Sequence, residues 1–266
     1  DRRSSTLKTR ILSGLILAPL LIIVYIGGYV LQAACLIIGI IGVREFYSAF
    51  KSAGIKPSFT VGAILTFALY AIINIGSNSQ WMMMWFFAVI MASLLYLFID
   101  FPARRLEDAL VTAVGVLYIP FFSIHVALTE RTPYGILVWL ILLTAFGTDI
   151  FAYFSGYLFG KHKLCPEISP KKTIEGSVGG TIGSVALCTA FALVFAPELL
   201  MHSVIIGILG GIISQFGDLT ASIFKRKLGI KDYGNLIPGH GGILDRFDSI
   251  LFTAPMVYYY IVFFMM

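Results

Sequence analysis

Apolar residues run through this chain in long blocks, separated by short clusters of charge, glycine and proline. A helix that crosses a bilayer needs roughly 20 mostly apolar residues. Blocks of that kind stand near residues 11–27, 29–43, 59–76, 81–99, 107–128, 134–159, 177–196, 202–224 and 244–266. The pattern predicts an all-α, polytopic integral membrane protein with about nine transmembrane helices. The first block follows a basic run, as the apolar core of a signal peptide does. Gly27, Gly28 and Tyr29 lead straight from it into the next block without a small-residue cleavage site, so it is read as a retained helix. The connections are too short to hold a soluble domain.

Composition and charge sharpen that picture. The 266 residues are 58% hydrophobic and 12% charged, about half the charge density of soluble domains. With nine spans and a cytoplasmic N-terminus, 18 of the 19 lysines and arginines fall on one side and Arg131 alone on the other. This is the bias that orients membrane proteins, and it makes the N-terminus cytoplasmic. The net charge of +5 is therefore read as interfacial and headgroup-facing, not as a nucleic-acid surface. Cys35, Cys165 and Cys188 lie far apart in no ligand spacing, and read as buried or incidental thiols.

Polarity divides the chain in two. Residues 1–133 read as ordinary spans, a scaffold, whereas 134–266 carry polar groups at or near membrane depth: Asp149, Tyr153, Gln215, Asp218, Ser222, Asp245 and Asp248. An Asp at the centre of a lipid-facing helix costs roughly 2.5–3.5 kcal/mol on insertion scales, so such residues face a cavity or a partner. The catalytic region is accordingly expected in 134–266. Glycines recur at helix-packing spacing in Gly156/Gly160, Gly176/Gly180, Gly179/Gly183 and Gly207/Gly211. Packing within one subunit is the favoured reading of these seams, and a homodimer is left open.

Three stretches of the second half carry candidate chemistry. On the eighth span Asp218, Ser222 and Lys225 fall on one stripe, with Arg226 at its edge. Alone, that is hard to tell from an Asp–Lys pair decorating a helix end. Lys231-Asp232 then leads through Pro238-Gly239-His240-Gly241-Gly242 to Asp245, Arg246, Asp248 and Ser249 at the mouth of the last span. Glycine-rich backbone can turn several N–H groups onto an anion, although a solvated turn before an Asp-rich helix start has the same appearance. Carboxylates from two helix ends, flanked by Lys225, Arg226, Lys231 and Arg246, suit a magnesium ion carrying a polyphosphate. The sixth span adds the stripe Asp149, Tyr153, Gly156 and Gly160, followed by a basic loop with Lys171 and Lys172. That loop either binds a lipid or nucleotide phosphate or simply carries inside charge.

Other motifs fall away. No G-x-x-x-x-G-K-[ST] is present, which excludes a P-loop NTPase. Ser169/Lys172 and Ser222/Lys225 both match S-x-x-K without a companion S-D-N, so the match has no weight. His240 is open between acid, base, ligand, phosphate donor and turn residue, whereas His125 reads as a satisfied interior histidine.

Ser222-x-x-Lys225-Arg226, Lys231-Asp232, Pro238-Gly239-His240-Gly241-Gly242 and Asp245-Arg246-x-Asp248 together resemble the signature of the CDP-diglyceride synthetases, or phosphatidate cytidylyltransferases, with spacing intact. Gly217-Asp218, Ser169-Pro170-Lys171-Lys172-Thr173 and the Asp149, Tyr153, Gly156 stripe are similar to that family as well, while Ala221 stands where relatives often carry an acid. The resemblance implies transfer of CMP from CTP to phosphatidic acid, giving CDP-diacylglycerol and pyrophosphate. It also implies Mg²⁺, one ion or two, and a multi-pass enzyme of the bacterial cytoplasmic (inner) membrane with its active site facing the cytoplasm. On this reading Asp218 and Asp245 are the metal ligands, with Asp149 and Asp248 in support. Ser222, Lys225, Arg226, Lys231 and Arg246 handle phosphates, and Lys171, Lys172, Gly239, His240, Gly241 and Gly242 hold substrate. The rival is an ion-coupled transporter using Asp149 and Asp218.

Overall fold

The structure, a computed structural model, describes residues 19–76, 79–237 and 241–266. Residues 19–26 form α1 as far as it is described. There follow α2 (Gly28–Lys51), α3 (Phe59–Ile75), α4 (Ser79–Leu95), α5 (Leu106–Tyr118), α6 (Pro120–Glu130) and α7 (Val138–Phe159). A two-stranded antiparallel hairpin, β1 (Lys163–Cys165) and β2 (Ser169–Thr173), precedes α8 (Ile174–Phe195), α9 (Leu200–Lys227) and α10 (Leu244–Phe264). Among the described residues seven helical stretches are long and apolar enough to cross a membrane, and α3 is a shorter apolar helix. The fold is that of an all-α polytopic membrane protein. The first part of the 11–27 block, residues 11–18, lies outside the described residues.

Two departures from the expected spans have local causes. The 107–128 block is one membrane-length stretch, but it bends between α5 and α6 because Pro120 has no N–H to continue the ladder. Ser123 N–H instead bonds back to Ile119 O at 2.9 Å, starting a new helix with proline in its first turn. The hairpin was not foreseen. Its three- and five-residue strands pair Lys163 with Thr173 and Cys165 with Ser169, too short a segment for a period of two to register.

The chain packs as two compact units. The first comprises the described part of Asp1–Ile124 together with Leu228–Arg246. Within it Tyr47 of α2 sits against two glycines: a Cβ on Gly62 of α3 would lie 2.8 Å from the Tyr47 ring, and Gly115 of α5 packs on the same ring. Its hydroxyl donates to Thr112 O at 2.6 Å. Asp108, buried at the head of α5, accepts from Lys56 N–H at 2.6 Å and Arg105 N–H at 3.0 Å, which pins the α2–α3 connection.

The second unit comprises His125–Lys227 and Phe247–Met266. Its helices approach through glycine. A Cβ on Gly176 or Gly180 of α8 would stand 2.8 Å from the carbonyl oxygen of Ala152 or Thr148 on α7. One on Gly207 or Gly211 of α9 would stand 2.9 Å from the Cα of Val185 or Thr181 on α8. Ser184 Oγ uses that closeness to donate to Gly207 O at 2.9 Å. The glycine seams read from the sequence are thus spent inside the subunit.

Gly207→Leu should therefore force α8 and α9 apart at a cost above about 2 kcal/mol. It should show as a lowered unfolding temperature of the detergent-solubilised protein. Ile212→Ala, on the same helix but 43% exposed, should cost less than about 1 kcal/mol.

Candidate active site

In the second unit the site begins with α7. Asp149, Tyr153 and Gly156 lie along one stripe of that helix and line a cavity of 470 Å³, as the sixth-span periodicity anticipates. Gly156 keeps the floor low: a Cβ there would come 3.0 Å from Thr173 Oγ1. Tyr153 and Tyr157 stand exposed on the rim, their rings stacked at 6.5 Å. The opposite wall is the basic hairpin, which brings Lys163, Lys171 and Lys172 to the cavity.

A carboxylate holds the hairpin in place. Glu175, in the first turn of α8, accepts from Lys161 N–H at 3.1 Å and His162 N–H at 3.2 Å, and its other oxygen lies 2.6 Å from His162 Nδ1. Thr173 caps the same helix by accepting from Gly176 N–H at 3.1 Å. At the far end of the hairpin Arg226 Nε donates to Ile168 O at 3.2 Å. Arg226, expected beside a phosphate, thus has Nε engaged in bracing the loop that presents the lysines.

Helix α9 closes the cavity from the side. Gln215 donates to Gly211 O at 2.8 Å, Thr181 Oγ1 at 3.2 Å and Ser177 O at 3.3 Å, so its amide is consumed in tying α9 to α8. Asp218, one turn on, forms an ion pair with Lys172 of the hairpin, both side chains about one quarter exposed. Gly217 explains how α10 comes within reach. A Cβ there would stand 2.6 Å from Asp248 O and 3.1 Å from Ser249 Cα, so no larger residue leaves α10 room.

Asp248 is buried at 6% exposure, with Asp218 and Asp149 acting on it as like charges and Lys225 as the opposing one. Its Oδ1 accepts from Ser249 N–H at 2.8 Å, and the buried Ser249 Oγ finds no hydrogen-bond partner among the described residues. Ser222 and Lys225 follow Asp218 at i+4 and i+7 on α9, both half-buried. The unit therefore gathers Asp149, Asp218, Asp248, Lys172 and Lys225.

The remaining signature residues belong to the first unit. Lys231 and Asp232 are exposed, while Tyr233 is buried. Asp245 is 8% exposed, and its Oδ2 accepts from Tyr233 N–H at 2.8 Å and Gly242 N–H at 2.9 Å. That oxygen braces the loop. Ile237 N–H bonds to Gly241 O at 2.9 Å, and Gly241 takes φ +87°, a conformation glycine adopts without strain. Arg246 is half-buried in the first turn of α10. Pro238, Gly239 and His240 lie outside the described residues.

Among the described residues no group of three or more His, Cys, Asp and Glu side chains is arranged to hold a metal. Magnesium asks for less, taking one or two carboxylates and completing its shell with water and phosphate oxygens. Asp248 and the two like charges acting on it, Asp149 and Asp218, are oxygen donors that would suit an ion of that kind.

Sequence reasoning passed over two acids that the structure makes prominent. Glu175 stands two residues past the basic Ser169–Thr173 stretch, whose lysines dominate the pattern there. Glu45 sits in α2, in the half read as scaffold, and accepts from Ile243 N–H at 3.0 Å and Leu244 N–H at 2.8 Å. The available signal was an acid next to Arg44 inside an apolar span.

Comparison with known proteins shows the family. The family model described as the cytidylyltransferase family matches residues 8–264. A phosphatidate cytidylyltransferase of Synechocystis sp. is 35% identical across 95% of this chain and 96% of its own length. One from Staphylococcus haemolyticus is 34% identical across 94% and 95%. Another from Rickettsia bellii is 32% identical across 97% and 92%. Matched from end to end by the family model and by relatives a third identical over nearly their full lengths, the chain belongs to the cytidylyltransferase family.

Proposed function

We propose that this protein is a phosphatidate cytidylyltransferase, which transfers CMP from CTP to phosphatidic acid and releases pyrophosphate. The observation that carries the reading is the pairing of Lys172 with Asp218 at a cavity whose wall also collects Lys163 and Lys171. Such a wall suits the phosphates of two anionic substrates. The relatives bear the corresponding name, and the transporter reading with Asp149 and Asp218 as coupling groups finds no support.

The chemistry asks little of a base. An anionic phosphate oxygen of the lipid bonds to the α-phosphorus of CTP. The bond from that phosphorus to the oxygen bridging to the β-phosphate breaks, and pyrophosphate departs with the electron pair. Because the nucleophile is already deprotonated, the difficulty is repulsion between anions, which fixed cations offset while holding the oxygens in line. Lys171, Lys172 and Lys225 serve that role in the second unit, and Lys231 and Arg246 are assigned to phosphates with them. Magnesium, when bound, adds positive charge on the phosphate oxygens. We assign it to Asp218, with Asp149, Asp248 and Asp245 as the other oxygen donors. Gly239, His240, Gly241 and Gly242 are assigned to substrate as the sequence signature suggests.

The lysine and arginine bias supports the cytoplasmic (inner) membrane, with the site facing the cytoplasm. A homodimer draws no support from the glycine seams, which pack inside the subunit.

The test is transfer of labelled CMP from CTP onto phosphatidic acid by purified protein in detergent. Labelling should require Mg²⁺, disappear with EDTA, and fall at least about 100-fold in Asp218→Asn and Asp248→Asn. Lys172→Ala should raise KM for an anionic substrate about tenfold, the loss of one charge-assisted contact. Folded wild-type protein that labels no lipid in any of several detergents would sink the assignment.

A further inference from the structure

The signature loop and the start of α10 are held by an acid from the other end of the sequence. Glu45 accepts from the N–H groups of Ile243 and Leu244, 198 and 199 residues away. These lie at the entry to α10, where N–H groups have no partner inside the helix and where the helix dipole favours a negative charge. Glu45 is 9% exposed, so its carboxylate depends on them.

The glycines around it are shaped to the carboxylate. A Cβ on Gly234 would come 2.6 Å from Glu45 Oε1, and one on Gly242 would come 2.6 Å from its Cδ. With Asp245 taking the N–H groups of Tyr233 and Gly242, two protein carboxylates use four donors of the loop: Tyr233 and the consecutive Gly242, Ile243 and Leu244. Gly242 N–H donates to Asp245, and its missing side chain makes room for Glu45.

We infer that Glu45 is a positioning residue for the transfer reaction: through the Ile243 and Leu244 amides it fixes the first turn of α10, and so the orientation of Asp245 and Arg246. It touches neither substrate nor metal. The inference rests on the cytidylyltransferase reading, and it assigns a role in catalysis to a helix of the first half of the chain.

Glu45→Gln tests it, since a carboxamide leaves one carbonyl acceptor for two donors and turns its NH₂ toward the other. Hydrogen–deuterium exchange of the peptide covering Gly242–Asp248 should quicken at least about tenfold. In the same preparation kcat should fall at least about tenfold, while KM for CTP moves less than about threefold. Glu45→Asp, which keeps both oxygens on a shorter stem, should recover part of both. Should Glu45→Gln fail to fold, Gly234→Ala, which retains the charge and displaces the carboxylate, carries the same expectations. Unchanged exchange and kcat in folded Glu45→Gln would overturn the inference. So would a lowered unfolding temperature with kcat per folded molecule intact, the mark of a purely structural acid. The exchange arm reads the anchor without turnover, so an inactive wild type would count against the function alone.

Discussion

A carboxylate taken out of water must be met by donors or cations, and in a chain this apolar that requirement organises much of the structure. Asp108 is met by the amides of Lys56 and Arg105, which draws the α2–α3 connection onto α5. Glu45 is met by the amides at the head of α10, and Asp245 by those of Tyr233 and Gly242. Glu175 gathers the entry of the basic hairpin, and Asp218 takes a lysine from the hairpin's second strand. Each acid closes a loop of chain that hydrophobic packing alone would leave free to slide. Asp248 differs, since like charges press on it from Asp218 and Asp149, with Lys225 as the opposing charge. Negative charge is therefore left concentrated around Asp248.

Glycine is the complement of this economy. Where helices bring acids together, as Gly217 does for α9 and α10, the absent side chain sets the distance between them. Where an acid reaches into a loop, as Glu45 does at Gly234 and Gly242, it provides the volume. The same residue type thus serves packing in one place and electrostatics in another.

How much of this could be read from the sequence depended on range. Helix positions were legible because hydropathy is local: α7 through α10 fall within a few residues of the expected blocks. The Asp149, Tyr153, Gly156 and Asp218, Ser222, Lys225 stripes were legible for the same reason, since a helical period puts them on one face whatever the helix packs against. The Lys172–Asp218 pair was not, because it depends on a hairpin whose strands are too short to leave a pattern. Glu45 was further from view. Its partners are backbone amides, which no side-chain motif records, and nearly two hundred residues intervene. The glycines were visible, but whether each served a substrate, a neighbouring helix or a carboxylate is a three-dimensional question.

The Lys172–Asp218 pair has a kinetic corollary. With its acid already neutralised from within, the resting protein offers the solution a weaker field than its lysine count implies. An anion arriving at Lys172 would take over an existing attraction rather than add a new one, and would leave Asp218 without its ammonium. Binding would then be an exchange of partners, with Asp218 left to hold whatever cation came with the anion. At this one lysine, long-range steering of an anion is correspondingly weakened. Such an exchange would favour a newcomer that brings its own positive charge: an anion alone would strand the carboxylate it displaces, whereas one carrying a cation would leave that charge matched.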